Sequence, residues 1–348
     1  MNPQVRHLVG LSGDRSRTET MQVQDPYGQI SARYKKFAEA EARGQSEQYE
    51  YLARGISESP ELLAFLTTLP EACQQPNLFL AAVRWIEGVP KDVAGLHDIV
   101  RANRSTLRDV MLTRTTQTNE PARCSVLVPA LAGLKQPLAL IEVGASAGLC
   151  LFPDHYAYDY GKLKLAPPIG PATIPPLFRC QITGDPPIPS RLPQITWRRG
   201  LDLNPISLDN PDQMRWLEGL VWPGQAQRLS RLQAAIRIVR SDPPEVIKGD
   251  LQTDLFELIT SVPKGLTPVV FHSAVLNYVS AQSDRDDFAS MVQGSGAVWI
   301  SNEAPSIFPQ IHRKVSGKTK AGCFLLSIDG NPVAWTGPHG QTLDWFGG

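Results

Sequence analysis

The chain has 348 residues, of which 42% are hydrophobic, so it is long enough to bury one large core or two modest ones. Its 34 basic residues balance 34 acidic ones, which leaves no long-range field to attract DNA, RNA or an anionic membrane. The composition therefore excludes a fibrous or disordered protein, and no nucleic-acid partner is expected.

The lack of a recognisable signal peptide and the spacing of the cysteines predict a cytoplasmic protein. The first 24 residues are polar and lack the apolar core of a signal peptide, and no later apolar run is long enough to span a bilayer. We expect residues 1–24 to be poorly ordered and the protein to have no membrane partner. The five cysteines form no cluster of zinc-ligand spacing, which predicts reduced thiols and no metal site.

Residues 25–135 have the apolar spacing of helices. Tyr49, Leu52 and Ile56 recur three and four residues apart, as on one face of a helix. Ser59 followed by Pro60 is typical of a helix start, and a further helix is expected from about Pro121 to Leu134. This region therefore predicts an N-terminal all-α domain.

After Pro137, short apolar runs alternate with helical stretches, which predicts an α/β domain over residues 136–348. Buried strands that alternate with helices favour a parallel, doubly wound sheet. The turn-rich stretch from Asp329 to Pro332 predicts a terminal hairpin with an antiparallel strand. A mostly parallel Rossmann-like sheet with such a hairpin resembles the S-adenosylmethionine (SAM)-dependent methyltransferases. The predicted strands are 138–143, 196–203, 245–249, 268–271, 297–300 and 323–328.

A proline-rich insertion is predicted at residues 153–195. Ten prolines lie from Pro153 to Pro193, and they rule out a continuous helix and disfavour a central strand. Two interpretations remain open for this segment. It is either a lid or substrate-recognition arm, or a surface excursion that packs against the helical domain.

The stretch from Glu142 to Gly148 predicts a cofactor loop, because a buried strand leads into a glycine-rich turn and a short helix starts at Leu149. Gly144 permits a tight turn close to a ligand, and Gly148 permits close packing of the helix on the sheet. Amides at the helix start can then hold a carboxylate such as that of methionine. The predicted cofactor is SAM, and its contacts here are Glu142, Gly144, Ala145, Ser146 and Gly148.

The same residues also spell G-x-S-x-G, the nucleophile elbow of serine hydrolases. Ser146 followed by an aspartate and then His272 or His339 suits the chain order of a hydrolase triad. An elbow serine normally follows several strands, however, whereas the sequence upstream of residue 138 predicts helices. We therefore keep a serine hydrolase that uses Ser146 as the second alternative.

Polar residues at later strand ends extend the cofactor site, because ligands of open α/β sheets lie across the carboxyl ends of the strands. Asp202, with Asn204 close behind, is the expected partner of the ribose hydroxyls. Asp250 is the expected partner of the adenine amino group, and Leu251 is expected to cover the ring. For each aspartate, a helix N-cap or solvated loop is an equally acceptable interpretation.

The fourth predicted strand runs into His272, at the place where the transferred methyl group would lie. His272 is the expected general base, with a backbone-bonded histidine as the alternative. A small-molecule acceptor is the expected partner, and the predicted substrate contacts are Glu120, Arg123, Asn277, Tyr278, Glu303 and His339.

Taken together, five motifs resemble a bacterial family catalogued only as a domain of unknown function (number 2332). The resemblance covers nearly the whole chain from about Ala32 and implies no settled activity. The leading expectation is a SAM-dependent methyltransferase for a small molecule, and the first alternative is a SAM or nucleotide binder without catalysis. The motifs are Thr118-Asn119-Glu120-Pro121, Glu142-Val143-Gly144-Ala145-Ser146-Ala147-Gly148-Leu149, Asp202-Leu203-Asn204-Pro205, Phe271-His272-Ser273-Ala274 and Pro338-His339-Gly340.

Overall fold

The computed structural model describes residues 25–117, 119–168 and 174–347. The expectation for residues 1–24 lies outside this part of the chain. Within it, the protein has an α/β fold with a large mixed sheet and several helices. No helix among the described residues is long and apolar enough to cross a membrane.

Helices alone precede the first strand in the described part of the chain. Their starts follow from short polar residues, since the side chains of Asp25, Ser46, Ser59 and Asp92 each accept a hydrogen bond from a backbone amide of the first turn. These helices are α1 (Pro26–Lys36), continued by a π-helical turn (Phe37–Ala42), α2 (Glu47–Glu58), α3 (Pro60–Leu66), α4 (Pro76–Glu87), α5 (Val93–Ala102), α6 (Arg104–Thr113) and α7 (Cys124–Leu131).

The later helices lie between or beside the strands. They are α8 (Pro211–Gly219), α9 (Ala226–Ser241), α10 (Leu255–Thr260), α11 (Gln282–Gly294) and α12 (Pro309–His312). Trp216 and Leu220, on and just after α8, belong to the same apolar cluster as the core of α1–α6. The packing therefore crosses the predicted domain boundary at residue 135, and that boundary stays a prediction.

Twelve strands in the described residues form one nine-stranded sheet and one three-stranded sheet. They are β1 (Leu138–Val143), β2 (Ala157–Asp159), β3 (Lys164–Leu165), β4 (Leu177–Arg179), β5 (Gln181–Thr183), β6 (Ile195–Asp202), β7 (Glu245–Lys248), β8 (Thr267–Ser273), β9 (Val298–Glu303), β10 (Phe324–Ile328), β11 (Asn331–Thr336) and β12 (Thr342–Trp345).

Five neighbouring strands of the large sheet are parallel, in the order β7-β6-β1-β8-β9. Chain order therefore runs outward from β1 in both directions, which creates a switch point between β1 and β8. Loops leave to opposite sides at such a point, and the crevice between them is where open α/β sheets bind ligands.

Beyond β9 the sheet continues as an antiparallel meander through β10, β11 and β12. Asp329 and Gly330 make the turn between β10 and β11, both with positive φ, which suits a tight hairpin. The terminal hairpin therefore lies where the sequence predicts it, and three antiparallel strands follow β9.

The proline-rich insertion forms short strands instead of a crossover helix. Strands β2, β3 and β4 make the small sheet, while β5 pairs in parallel with β12 at the edge of the large sheet. In the described part of the segment between β1 and β6, the helical turns are 3-10 turns of three residues, Leu149–Leu151 and Pro153–His155.

Candidate functional site

A cavity of about 870 Å³ lies at the carboxyl ends of the parallel strands, beside the switch point. Its size is within the range of small-molecule and cofactor sites. The loops after β1, β6, β8 and β9 line it on the sheet side. The opposite wall comes from the helical part of the chain and includes Leu78, Met111 and Leu127.

Most of the predicted site residues line this cavity, but five do not. The residues in its wall are Glu142, Gly144, Ser146, Asp202, Asn204, Leu251, Arg123, His272, Asn277, Tyr278 and Glu303. Outside the wall are Ala145, Gly148, Asp250, Glu120 and His339.

The two loop glycines are required by close packing. Gly144 has φ +72°, and a Cβ at this position would overlap the side chain of Val275. Gly148 has φ +71°, and its Cβ would lie 2.7 Å from Cγ of Pro244. Both glycines therefore allow close packing within the protein, and at Gly144 the approaching group is the side chain of Val275 in the loop after β8. The approach of Gly144 to a ligand stays a prediction.

Two amides of the expected carboxylate site at the start of a helix bond within the protein. The amide of Ser146 donates to Oδ2 of Asp202 at 2.8 Å, and the amide of Leu149 donates to Oδ1 of Asn119 at 2.9 Å. Moreover, Leu149 begins a single 3-10 turn, which supplies no helix of useful length. A ligand carboxylate needs another partner in this cavity.

Glu142 contributes to the cavity wall a buried carboxyl group with one unpaired oxygen atom. Its carboxyl group is buried, and Oε2 has no hydrogen-bond partner among the described residues. Burial raises the pKa of Glu142 well above its usual 4.5, although the positive charge of Arg123 opposes the shift. A buried, unsatisfied carboxyl group in a cavity wall is a common mark of a binding or catalytic site.

Arg123 is the nearest cation to this acid. Its guanidinium donates to the carbonyl oxygens of Pro338 and Ser273, both at 3.0 Å, which ties the start of α7 to the terminal hairpin and to β8. Within the described residues it makes no ion pair with a carboxylate. Arg123 therefore brings to the cavity wall a positive charge that forms no ion pair within the described part of the chain.

Glu120 has a structural partner instead. Oε2 of Glu120 accepts from Nε of Arg228 at 2.6 Å, and its Oε1 accepts from the amide of Ala122 at 3.2 Å. Burial alone would raise the pKa of Glu120, but the positive charge of Arg228 and this amide bond hold the pKa below its usual value. Glu120 thus caps the turn before α7 and pairs with α9.

Asp202, at the end of β6, is buried and accepts hydrogen bonds on both oxygens. Oδ2 accepts from the amide of Ser146, and Oδ1 accepts from the amide of Asn204, each at 2.8 Å. The side-chain amide of Gln117 donates to both oxygens at 3.1 Å. The carboxylate therefore joins the glycine loop to the loop after β6.

Asp250 has the local role that the sequence left open. It is exposed, and its Oδ1 accepts from the amide of Gln252 at 2.8 Å. The amide of Asp250 in turn donates to Asp254 at 2.7 Å. The carboxylate stabilises its own turn, while the adjacent Leu251 lines the cavity.

His272 uses both ring nitrogens within the protein. Nδ1 lies 2.8 Å from Oε1 of Glu303, and Nε2 accepts from the indole nitrogen of Trp299 at 3.0 Å. The ring is almost completely buried, against Phe288 and Phe308. No ring nitrogen is free to take a proton from a ligand in this arrangement, which counts against the predicted base.

Glu303 bonds to His272 and also fixes the loop after β8. Its Oε1 accepts from the amides of Val275 and Leu276 at 3.0 and 3.2 Å. The next residues, Asn277 and Tyr278, are exposed at the cavity mouth. His339 is also exposed, in the turn before β12, and its amide donates to Gln341.

Ser146 has φ +55° and a buried hydroxyl group without a hydrogen-bond partner among the described residues. A hydrolytic serine needs a base within hydrogen-bond reach. No histidine of the described residues hydrogen-bonds to Ser146, and its backbone instead joins two loops through Asp202 and Ile206.

The motifs of the family resemblance meet around this site. Besides the contacts of Asn119, Arg123 and Asp202, Gly340 packs so closely on the carbonyl of Ala122 that a Cβ would overlap it. Side-chain contacts that the sequence did not predict come from Gln117, from Asn119, and from Asn302, whose Nδ2 donates to Ser273 at 3.1 Å. Asn302 follows a predicted strand, so its position could have marked it as a candidate site residue. No sequence pattern marks Gln117 in this way.

Comparison with known proteins identifies a family. The model of the family described as "Uncharacterized protein conserved in bacteria (DUF2332)" matches residues 31–87 and 89–345. No curated protein and no solved structure matches the chain.

Proposed function

The chain belongs to this bacterial family of uncharacterized proteins, and we propose that its cavity binds SAM and supports methyl transfer to a small-molecule acceptor. The observation that carries the proposal is Oε2 of Glu142, which is buried in the wall of a cavity at the switch point without a hydrogen-bond partner among the described residues. A cationic ligand is the natural partner of such a group, since it would compensate the cost of a buried charge.

The residues present fit the chemical groups of SAM. Glu142 suits the ammonium group, and Arg123 supplies the positive charge for the carboxylate that the loop amides do not provide. Asp202 lies at the end of β6, beside β1, where open α/β sheets that bind nucleotides often carry an acidic partner for ribose. Leu251 and Leu203 give apolar surface for the adenine ring.

When bound, SAM supplies a methyl group on a sulfonium, which is activated for direct in-line transfer. The contribution of this chain would then be to hold the ligand, to align an acceptor and to exclude water. Ser273 and Asn302 are polar groups of the cavity wall at the ends of β8 and β9, and we assign the acceptor to this side. His272 and Glu303 fix the loop beside it.

Calorimetry with the purified full chain tests this proposal. We expect SAM and its demethylated product to bind, NAD to bind far more weakly, and Glu142→Gln to lower the affinity for SAM about tenfold or more. The neutral amide keeps the shape of the side chain but removes the negative charge. If neither SAM nor the product binds the wild-type chain, the proposal is wrong.

Two alternatives have different outcomes. A binder without catalysis would show the same affinities, but no labelled methyl group would pass from SAM to any compound of a bacterial metabolite extract. A serine hydrolase would react with a fluorophosphonate probe at Ser146, whose hydroxyl group has no hydrogen-bond partner among the described residues.

A further inference from the structure

The side chain of Gln117 bonds to the carboxylate of Asp202. Its Nε2 lies 3.1 Å from Oδ1 and 3.1 Å from Oδ2, and it also donates to the carbonyl of Asn204 at 3.4 Å. Gln117 belongs to the loop after α6, and this loop forms part of the cavity wall together with Arg114 and Thr115.

The other donors to Asp202 are of a different kind. They are the backbone amides of Ser146 and Asn204, which belong to the two loops that the carboxylate holds together. A carboxylate offers about four acceptor positions. Removal of Gln117 would therefore leave one fixed amide and one free acceptor position on each oxygen.

We infer that Gln117 occupies the place of a vicinal diol and must leave Asp202 when a riboside binds. The inference rests on the proposed function, because it concerns the same cavity. Each oxygen of the buried Asp202 carboxylate keeps one backbone amide, but an unfilled second acceptor position on a buried charge is still costly. Two neighbouring hydroxyl groups fill both positions that Gln117 leaves, whereas a single hydroxyl group fills only one.

Gln117 is thus a specificity-determining residue. The contact between Gln117 and Asp202 lowers the apparent affinity of every ligand that must break it. It also keeps the buried carboxylate solvated by the protein when the cavity holds no ligand. A riboside replaces both hydrogen bonds that Gln117 donates to Asp202, whereas a deoxyriboside replaces only one of them.

Calorimetry with adenosine, 2′-deoxyadenosine and the demethylated product of SAM tests the inference on the full chain. Gln117→Ala should bind adenosine and the product about tenfold more tightly than the wild type. The matched control is Gln310→Ala, an exposed glutamine outside the cavity wall whose Nε2 also donates to an aspartate, Oδ1 of Asp286 at 3.0 Å, and it should leave the affinities unchanged. Wild-type chain should bind 2′-deoxyadenosine at least about tenfold more weakly than adenosine.

The outcomes separate this inference from the proposed function. If the wild type and the control bind the ligands but Gln117→Ala binds them equally or less tightly, Gln117 does not compete, and only the inference is overturned. Equal affinity for adenosine and 2′-deoxyadenosine would contradict the inference that a vicinal diol binds to Asp202. If no variant binds any of these ligands, the proposed function is wrong as well. Melting temperatures of the variants show that each is folded.

Discussion

The indole N–H of Trp299 donates to Nε2 of His272. Since an indole nitrogen only donates, Nε2 must carry a lone pair, and the ring proton must lie on Nδ1, which faces Glu303. His272 is therefore neutral and donates to a buried carboxylate. This arrangement differs from a base that waits for a substrate proton, and it makes His272 a positioning residue for the loop after β8.

The first prediction is that His272→Ala destabilises the protein by about 3 kcal/mol, because it opens a cavity and leaves Trp299 and Glu303 without a partner. Urea unfolding measures the loss. The control is His155→Ala, whose side chain is 47% exposed, and it should change the stability far less. Normal stability of His272→Ala together with a large loss of turnover would restore the role of a base.

Glu142 should make the ligand-free protein less stable as the pH rises. Because its pKa is raised in the folded state, the native chain binds more protons than the unfolded chain at pH values above about 4.5. Stability from this group is fully present below that pH and is lost as the pH rises toward the folded-state pKa. Glu142→Gln removes this dependence, so at neutral pH the variant should be the more stable protein. Urea midpoints from pH 5 to pH 8 compare the two, and parallel curves would contradict the prediction.

Binding of SAM should release a proton from Glu142. A cation beside the carboxyl group favours its charged form and lowers its raised pKa. Calorimetry in buffers of equal pH but different ionisation enthalpy reports the number of protons released. We expect a release near neutral pH that disappears in Glu142→Gln. The same release in both proteins would assign the proton to another group.

Gly340→Ala should cost at least about 2 kcal/mol of unfolding free energy. Gly340 has φ +75°, and an added Cβ would overlap the carbonyl of Ala122, so the hairpin would have to move away from α7. Gly296→Ala is the matched control, because Gly296 has a similar φ of +81° and no neighbouring atom lies within 4 Å of its added Cβ. The two variants should differ clearly in thermal unfolding, and equal melting temperatures would refute the contact.

Ser146→Ala should neither destabilise the protein nor change its reaction with fluorophosphonate probes. The hydroxyl group is buried without a partner, and its removal relieves an unsatisfied polar atom. The positive φ is equally unfavourable for serine and alanine, so the backbone term cancels. Labelling of the wild type that is absent in Ser146→Ala would establish the hydrolase instead.

The strand periodicity was sufficient to predict where the parallel strands lie and which polar residues end them. Asp202 and Glu142 therefore lie together in one cavity wall, as expected from their positions at the end of β6 and near the end of β1. The hydrogen-bond partners of these residues could not be predicted from the sequence, because they depend on tertiary contacts. Gln117 meets Asp202 across 85 positions of the chain, and Trp299 meets His272 across 27. Asp250 shows a second difficulty. An aspartate after a strand can stabilise a turn or bind a ligand, and the sequence does not distinguish the two roles.

The pairing of β5 with β12 gives the proline-rich insertion a further role. Without β5, the outer edge of β12 would present unpaired backbone groups to other molecules of the same chain. Strand β5 covers that edge and is itself a poor template, since it spans only three residues and Pro186 and Pro187 follow soon after it. At the other end of the sheet, β7 carries the exposed charges of Glu245 and Lys248. The insertion therefore covers this edge of the sheet, and because Tyr158 and Phe178 are also buried in the core cluster of β1, its loss would cost the fold as well as the protected edge.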